Sequence, residues 1–476
     1  MNHGISKNNE RRLPMPSSRV ETQAKVGAGF VVQCLEKTFW TGKPSDRCLR
    51  DVFYANHQLG SRDRRIISET LFSVLRWWGW LKTLAPEEFF SVDKELIRNQ
   101  KVPQDEHAPQ RCVTNVYKWY GCLAASWALE NRLDFPPSVA WWCRQRGVNP
   151  ENFKALPDGA PLKDRRRYLP PFFSKDDVPA FPEEDLVPEW TEKALSEPIP
   201  FLKLIDWLQH RPPVWLRGQT GSIVELCHNL QHNEVKVHPH KKMLCALKIQ
   251  GAAANLRNLD VFRKGQFEFQ DLASQAVGYV CAPKPGEQWW DCCAGGGGKT
   301  LQLAWLMEEK GSVLASDIRT HKLTELKLRA RRAQFPNIRY KEWKGKEMPR
   351  FRNRFDGVLV DTACSCSGTW RRNPDARWTT TPEELKEFAD LQLQLLTNAS
   401  QGVVEGGTLV YSTCSMFACE NQDIVNTFLA AHPEFKLAPY RCPVTGRETE
   451  GMNQIWPWDG DCDAMFTAKM WRSSAE

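Results

Sequence analysis

No stretch of the sequence approaches the run of about 20 consecutive apolar residues that spans a bilayer, so no membrane-crossing helix is expected. The first residues are polar and lack the apolar core of a secretory signal, which makes a cytoplasmic setting the expectation. The 16 cysteines include no Cys-x-x-Cys pair, which argues against a zinc ribbon or a thioredoxin-type site. In a chain this large without an export signal, most of them should be reduced thiols. Cys364 and Cys366 are too isolated as a pair to make a metal site by themselves, and no metal is expected. A strong excess of one charge is also missing. A net charge of +7 over 476 residues does not by itself call for a polyanionic partner. There is no internal repeat.

What is present is an ordinary globular composition, 41% hydrophobic and 25% charged, in a chain long enough for two or three domains. A monomer is the expectation. Twenty tryptophans is a high count, and groups such as Trp77-Trp78-Gly79-Trp80 suit core packing better than base stacking. Residues 1–18 read as a flexible tail. From 19 to 156 apolar residues recur at helical spacing, as at Ile66, Ile67, Thr70, Leu71, Val74 and Leu75, with basic residues between them. Seven prolines from Pro157 to Pro188 mark residues 157–189 as a linker or extended crossing segment. A small α+β module is expected over 190–262.

From 263 to 476 the pattern changes to strands alternating with helices. Short apolar runs at 287–291, 312–316 and 355–360 lead into Asp291, Asp317 and Asp361, and a fourth run covers 407–412. This predicts an α/β fold with a parallel, doubly wound sheet, whose ligands bind at the carboxyl ends of the strands. The loop Cys293-Ala294-Gly295-Gly296-Gly297-Gly298-Lys299 comes after the first of these strands, where glycines let backbone amides approach a ligand at a helix start. Its ending, Gly-Lys-Thr, invites a nucleotide-hydrolase reading. A P-loop, however, requires a glycine where this chain has Cys293. Asp317, 19 residues after Gly298, suits the two hydroxyls of a ribose, with a helix N-cap as the competing role. Two further segments each place a cysteine just past a strand end. They are Asp361-Thr362-Ala363-Cys364-Ser365-Cys366-Ser367-Gly368-Thr369, and Ser412-Thr413-Cys414-Ser415 with Glu420-Asn421 beyond it. Two cysteines with an acid on one face are a catalytic constellation rather than packing.

In these motifs the chain resembles the Nop/Sun-type RNA cytosine-5 methyltransferases. Phe269-Gln270-Asp271-Leu272-Ala273-Ser274-Gln275 matches the family's entry into its catalytic domain. Leu59-Gly60-Ser61-Arg62-Asp63-Arg64-Arg65 resembles the bacterial ribosomal RNA branch, which carries a helical RNA-binding domain similar to the antitermination factor NusB. The resemblance implies a Rossmann-like domain that uses S-adenosylmethionine to methylate carbon 5 of a cytosine in RNA, with small-subunit ribosomal RNA favoured over transfer RNA. It implies Cys414 as nucleophile, Cys364 as the cysteine assisting product release, Asp361 at ring nitrogen 3, and Lys299 beside both thiols. Residues 293–299 with Asp317 and Asp361 would hold the cofactor. Arg62, Arg64, Arg65, Arg76, Arg371 and Arg372 would contact RNA.

Several positions depart from the pattern. Gly295-Gly296 stands for Ala-Pro, Ala363 for proline, and Cys366 for a small residue, while Asp463-Ala464-Met465-Phe466 matches the family's Asp-Gly-Phe-Phe only loosely. The acid for the adenine amino group should fall near Lys344 and is absent, leaving Trp343 or a backbone carbonyl as substitutes. The rival reading is a catalytically impaired RNA-binding scaffold of the same fold.

Overall fold

The computed structural model describes residues 17–92, 113–252 and 255–474, so residues 1–16 of the expected tail lie outside the described residues. The chain divides into two compact units between Leu186 and Val187.

The first unit is built on the helices Ser17–Thr41, Ser45–Ala55, Ser61–Arg76, Val116–Leu129 and Pro137–Gln145. In Ser61–Arg76 the buried positions Ile67, Thr70, Leu71, Val74 and Leu75 form one stripe at the spacing of a helix face packed on a core. Val116–Leu129 starts where Asn115 accepts a hydrogen bond from the Tyr117 amide, and is buried without a break from Trp119 to Leu129. Trp77, Trp80, Trp119 and Trp142 are all core residues, as expected.

The segment read as a linker is folded into this unit as far as Leu186. Its prolines open short 3-10 turns at Leu162–Tyr168 and Pro170–Phe172, and Leu162, Tyr168, Leu169, Phe172, Phe181 and Leu186 are buried. The Tyr168 hydroxyl donates to Asn131 Oδ1 (2.7 Å), and Trp80 Nε1 donates to the Pro182 carbonyl (2.7 Å). Proline density signals extended backbone and turns, but does not say whether the apolar residues between them find a core.

The second unit contains two sheets. An antiparallel one has the order β2-β3-β1-β4, from β1 (Val214–Gly218), β2 (Val235–Pro239), β3 (Ala246–Ala252) and β4 (Phe267–Phe269). The small module therefore extends past its expected end at 262, because β4 closes its sheet, and it shares one compact unit with the larger sheet.

The larger sheet uses β5 (Gln288–Asp291), β6 (Ser312–Asp317), β7 (Ile338–Glu342), β8 (Phe355–Asp361), β9 (Val403–Thr413) and β10 (Phe435–Leu437). A short pair, β11 (Tyr440–Arg441) and β12 (Glu448–Thr449), stands apart; β13 (Met452–Ile455) and β14 (Met465–Arg472) complete the large sheet. Its order is β10-β14-β9-β8-β5-β6-β7, with β13 on β14. Strands β5 to β9 pair in parallel, and β14 is antiparallel between β9 and β10. Both faces are covered. Trp289 packs with Leu301, Val313 and Val410 on one side, and Trp290 with Phe351, Phe355 and Val358 on the other. The chain runs outward from β5 to β7 and then returns to β8, so the strand order reverses between β5 and β8. A crevice forms at such a reversal. Among the described residues no helix is long and apolar enough to cross a membrane.

Candidate active site

At the carboxyl ends of β5, β6 and β8 lies an open cleft of about 1080 Å³. Residues 293–299, Asp317, Asp361, Cys364 and Cys414 all contribute to its wall or adjoin it. The loop after β5 turns at Gly297 (φ +86°), where a Cβ would come within 2.3 Å of Leu326. Only glycine fits there, and it starts the helix Gly298–Leu306, whose first-turn amides have no partner within the helix. Asp291, at the end of β5, is buried and accepts a hydrogen bond from Thr300 Oγ1 (2.6 Å), tying the strand to that helix. Burial lifts its carboxyl to about 7.

Asp317 ends β6 and is only 4% exposed. It accepts the Gly295 amide (2.8 Å), the Arg319 amide (2.8 Å), and Arg319 Nε and Nη2 at 3.0 and 3.1 Å. Burial acts to raise its pKa, but the bonds from Arg319 and the Gly295 amide outweigh that and hold it below the usual carboxylate range. The next helix begins at Thr320 with Arg319 as N-cap, so Asp317 is not its N-cap residue, although it takes an amide just ahead of it. Arg319 had no role in the sequence reading. No spacing rule announces that a residue two places on will fold back onto the acid.

On the other wall, Lys299 Nζ lies 2.7 Å from Asp361 Oδ2, while Asp361 Oδ1 accepts Ser412 Oγ at 2.8 Å. Burial works against the Lys299 charge, yet Asp361, and behind it Cys414, raise its pKa above the usual value. Cys364 Sγ and Cys414 Sγ are 3.3 Å apart, from loops that leave β8 and β9 side by side. Cys366 joins them, all three sulfurs lying within 4.8 Å of one another. The pair that looked isolated in sequence is thus a trio in the fold. Hydrogen bonds from Cys364 and then Cys414 hold Cys366 low, at about 4, and Cys364 is raised by its bonds to Cys366 and Cys414 and by burial.

Both cysteine loops hang on Glu420, which is fully buried. Its Oε1 accepts the Ser365 amide (2.8 Å) and Gln392 Nε2 (3.0 Å), and its Oε2 accepts the hydroxyls of Ser365 and Ser415. Asn421 adds bonds to Thr413 Oγ1 (2.6 Å) and the Ser415 carbonyl (3.0 Å). The motif had flagged Glu420-Asn421, but their positioning role emerges only when the two loops are brought together.

Lys344 lines the cleft where an adenine-binding acid was sought, with Glu342 Oε1 3.3 Å from its Nζ. Trp343 is buried, and its Nε1 is spent on the Lys346 carbonyl (2.7 Å). The expected RNA contacts divide. Arg371 is 1% exposed and donates to the carbonyls of His210 and Cys462 and to Asp461, so it is an internal tie and not an RNA ligand. Arg372 bridges Asp463 and Asp271. Arg76 is likewise buried, against Glu130 (2.5 Å). Arg64 donates to the Leu59 and Phe53 carbonyls, whereas Arg62 and Arg65 are exposed, the latter 3.0 Å from Glu69.

The family described as 16S rRNA methyltransferase RsmB/F matches over residues 278–471. A curated relative, ribosomal RNA small subunit methyltransferase B of Yersinia pestis, is 31% identical over 290 residues, which are 60% of this chain and 66% of that protein. The probable ribosomal RNA small subunit methyltransferase B of Bacillus subtilis is 35% identical over 216 residues, 44% of this chain and 48% of that one. The matched region thus falls just short of two thirds of the first relative's length. The crystal structure of PH0851 superposes with a TM-score of 0.69 at 23% identity, covering 97% of this chain and all of that one, a likeness of fold. Residues 278–471 of this chain are thus similar to the RsmB/F methyltransferase family.

Proposed function

We propose that this protein transfers a methyl group from S-adenosylmethionine to carbon 5 of a cytosine in small-subunit ribosomal RNA, through a covalent bond between Cys414 and the base. The observation that carries the proposal is the pair of thiols 3.3 Å apart beside the Lys299–Asp361 ion pair, on the same strand ends as the glycine loop and Asp317. The names of the curated relatives support ribosomal RNA as substrate.

The cleft suits the cofactor in two respects. The turn at Gly297 brings free amides to its edge, and the Asp317 carboxylate sits at the next strand end, where ribose hydroxyls would replace Arg319. When bound, S-adenosylmethionine supplies an electrophilic sulfonium methyl. The rest of the chemistry belongs to the chain. Cytosine carbon 5 is a weak nucleophile, so the Cys414 thiolate adds to carbon 6 and makes the ring electron-rich at carbon 5. Lys299 stabilises that thiolate electrostatically. Asp361, fixed by Lys299 and Ser412, holds a proton at ring nitrogen 3 as charge develops there. Once carbon 5 has taken the methyl group it must lose its proton, and the bond from carbon 6 to Cys414 breaks. On this reading Cys364, 3.3 Å from Cys414, assists this second half by taking the carbon 5 proton as the Cys414 thiolate leaves.

Methyl transfer from labelled S-adenosylmethionine to bare or partly assembled small-subunit RNA, with bisulfite mapping of the product, tests the reading. Equal activity on transfer RNA contradicts the substrate. A second reading, an RNA-binding scaffold of the same fold, is favoured by Lys344 in place of the adenine-binding acid. Calorimetry separates the two, since the scaffold does not bind the cofactor.

A further inference from the structure

We propose that Cys364, Cys366 and Cys414 form a binding site for one soft d10 cation, zinc(II) or copper(I), which the reduced protein takes up through three sulfurs. The pairing of Cys364 with Cys414 belongs to the reading above; the third thiol does not. Methyl transfer through Cys414 and Cys364 has no use for Cys366.

Three observations support the site. The first is distance. Three thiolates held at about 2.3 Å from one ion stand roughly 3.8–4.0 Å apart. Here the sulfurs lie within 4.8 Å of one another, with Cys364 and Cys414 at 3.3 Å, so small rotations bring all three onto one centre. The second is backbone conformation. Cys366 has φ +57°, in the left-handed region where a side chain is disfavoured and glycine is at ease. A cysteine held there, against local preference, aims its sulfur at the other two. The third is the surrounding charge and support. Three thiolates around a divalent ion leave one net negative charge, and Lys299 is near enough to Cys414 to feel its charge. The loops carrying the ligands are fixed by Glu420 through Ser365 and Ser415, so the site is assembled before an ion arrives.

Sulfur ligands select soft ions over magnesium or calcium. Binding releases the protons of whichever thiols are not already ionised. It also occupies the Cys414 lone pair that adds to cytosine, so a loaded site is a reversibly silenced one. That consequence rests on the proposed methyl transfer; the uptake of the ion does not.

The test uses the full chain, reduced and freed of metal with a chelator, titrated with cadmium(II) as a spectroscopic probe and with zinc(II) as competitor. The expected result is a thiolate-to-metal charge-transfer absorption that saturates at one cadmium per chain and is displaced by zinc. Cys366→Ser should weaken cadmium binding at least about tenfold, and Cys366→Gly, which suits the left-handed backbone, should do the same in a chain with an unchanged melting curve. Cys227→Ser is the control, because Cys227 lies on the helix Ile223–His232 of the smaller module and outside the cleft; it should leave the titration unchanged. No saturable absorption, or one that survives in both Cys366 variants, overturns the site.

Discussion

The two walls of the cleft stand on the same strand ends but differ in completeness. On the wall formed by the loops after β8 and β9, the implied reacting groups are in place and held: the two thiols, the Lys299–Asp361 pair, and Glu420 beneath both loops. On the wall formed after β6 and β7, Lys344 stands where an acid would meet adenine, and the ribose-binding candidate Asp317 is covered by Arg319. Bond-making with the base requires a particular set of atoms at particular distances. Holding a cofactor is a sum of several contacts, and the loss of one lowers affinity without removing a step. On this account the base-facing wall holds all the groups the proposed chemistry uses, and the cofactor wall is the one that departs from the family pattern.

The contrast between the walls breaks most readily at Cys414. Cys414→Ala should lower methyl transfer by about a thousandfold or more, as loss of a nucleophile does, while leaving cofactor affinity by calorimetry unchanged. Next comes the support beneath the thiols. Glu420→Ala leaves two hydroxyls, an amide and the Gln392 side chain without their buried acceptor, and should cost about 3 kcal/mol of stability in a denaturant titration. An unchanged midpoint would show that the loops are held by something else.

Much of this architecture was legible in the sequence, for definable reasons. Strands β5, β6 and β8 are short, apolar on both faces and end in aspartates, so their runs and their acids mark both the sheet and its ligand edge. What was not legible depends on partners distant in the chain. β14 is the last strand in sequence but lies between β9 and β10, and no local pattern encodes that insertion. Arg76 and Arg371 look like surface charge because Glu130, Asp461 and the carbonyls that bind them are far away in sequence. The third thiol is a similar case: Cys364 and Cys366 appeared isolated until the fold placed Cys414 beside them.

Two smaller effects sharpen the contrast on the cofactor side. Asp317→Ala removes charge-assisted bonds to ribose worth roughly 1.5–3 kcal/mol, so cofactor affinity should fall about tenfold to a hundredfold while the rate at saturation holds. Unchanged affinity would leave Asp317 as a residue that only orders Arg319 and the glycine loop. Arg319→Ala should act in the opposite direction. Its guanidinium is half exposed, so its pairing with Asp317 is weak and screened, and freeing the carboxylate should tighten binding only about twofold to fivefold. Weaker binding in that variant would make Arg319 a cofactor contact instead of a competitor.

The most direct test of the mechanism is a covalent one. If Cys414 bonds to carbon 6 and Cys364 serves only the subsequent release, the variant lacking Cys364 should form the bond and fail to break it. Cys366 stands close enough to substitute, so the measurement uses Cys364→Ala with Cys366→Ala, incubated with unmodified small-subunit RNA and S-adenosylmethionine and run on a denaturing gel. The expected result is a protein–RNA adduct that increases with cofactor and disappears when Cys414→Ala is added. An adduct formed by Cys414→Ala alone and not by the Cys364 variant would contradict the mechanism, and would mean that the two thiols exchange roles.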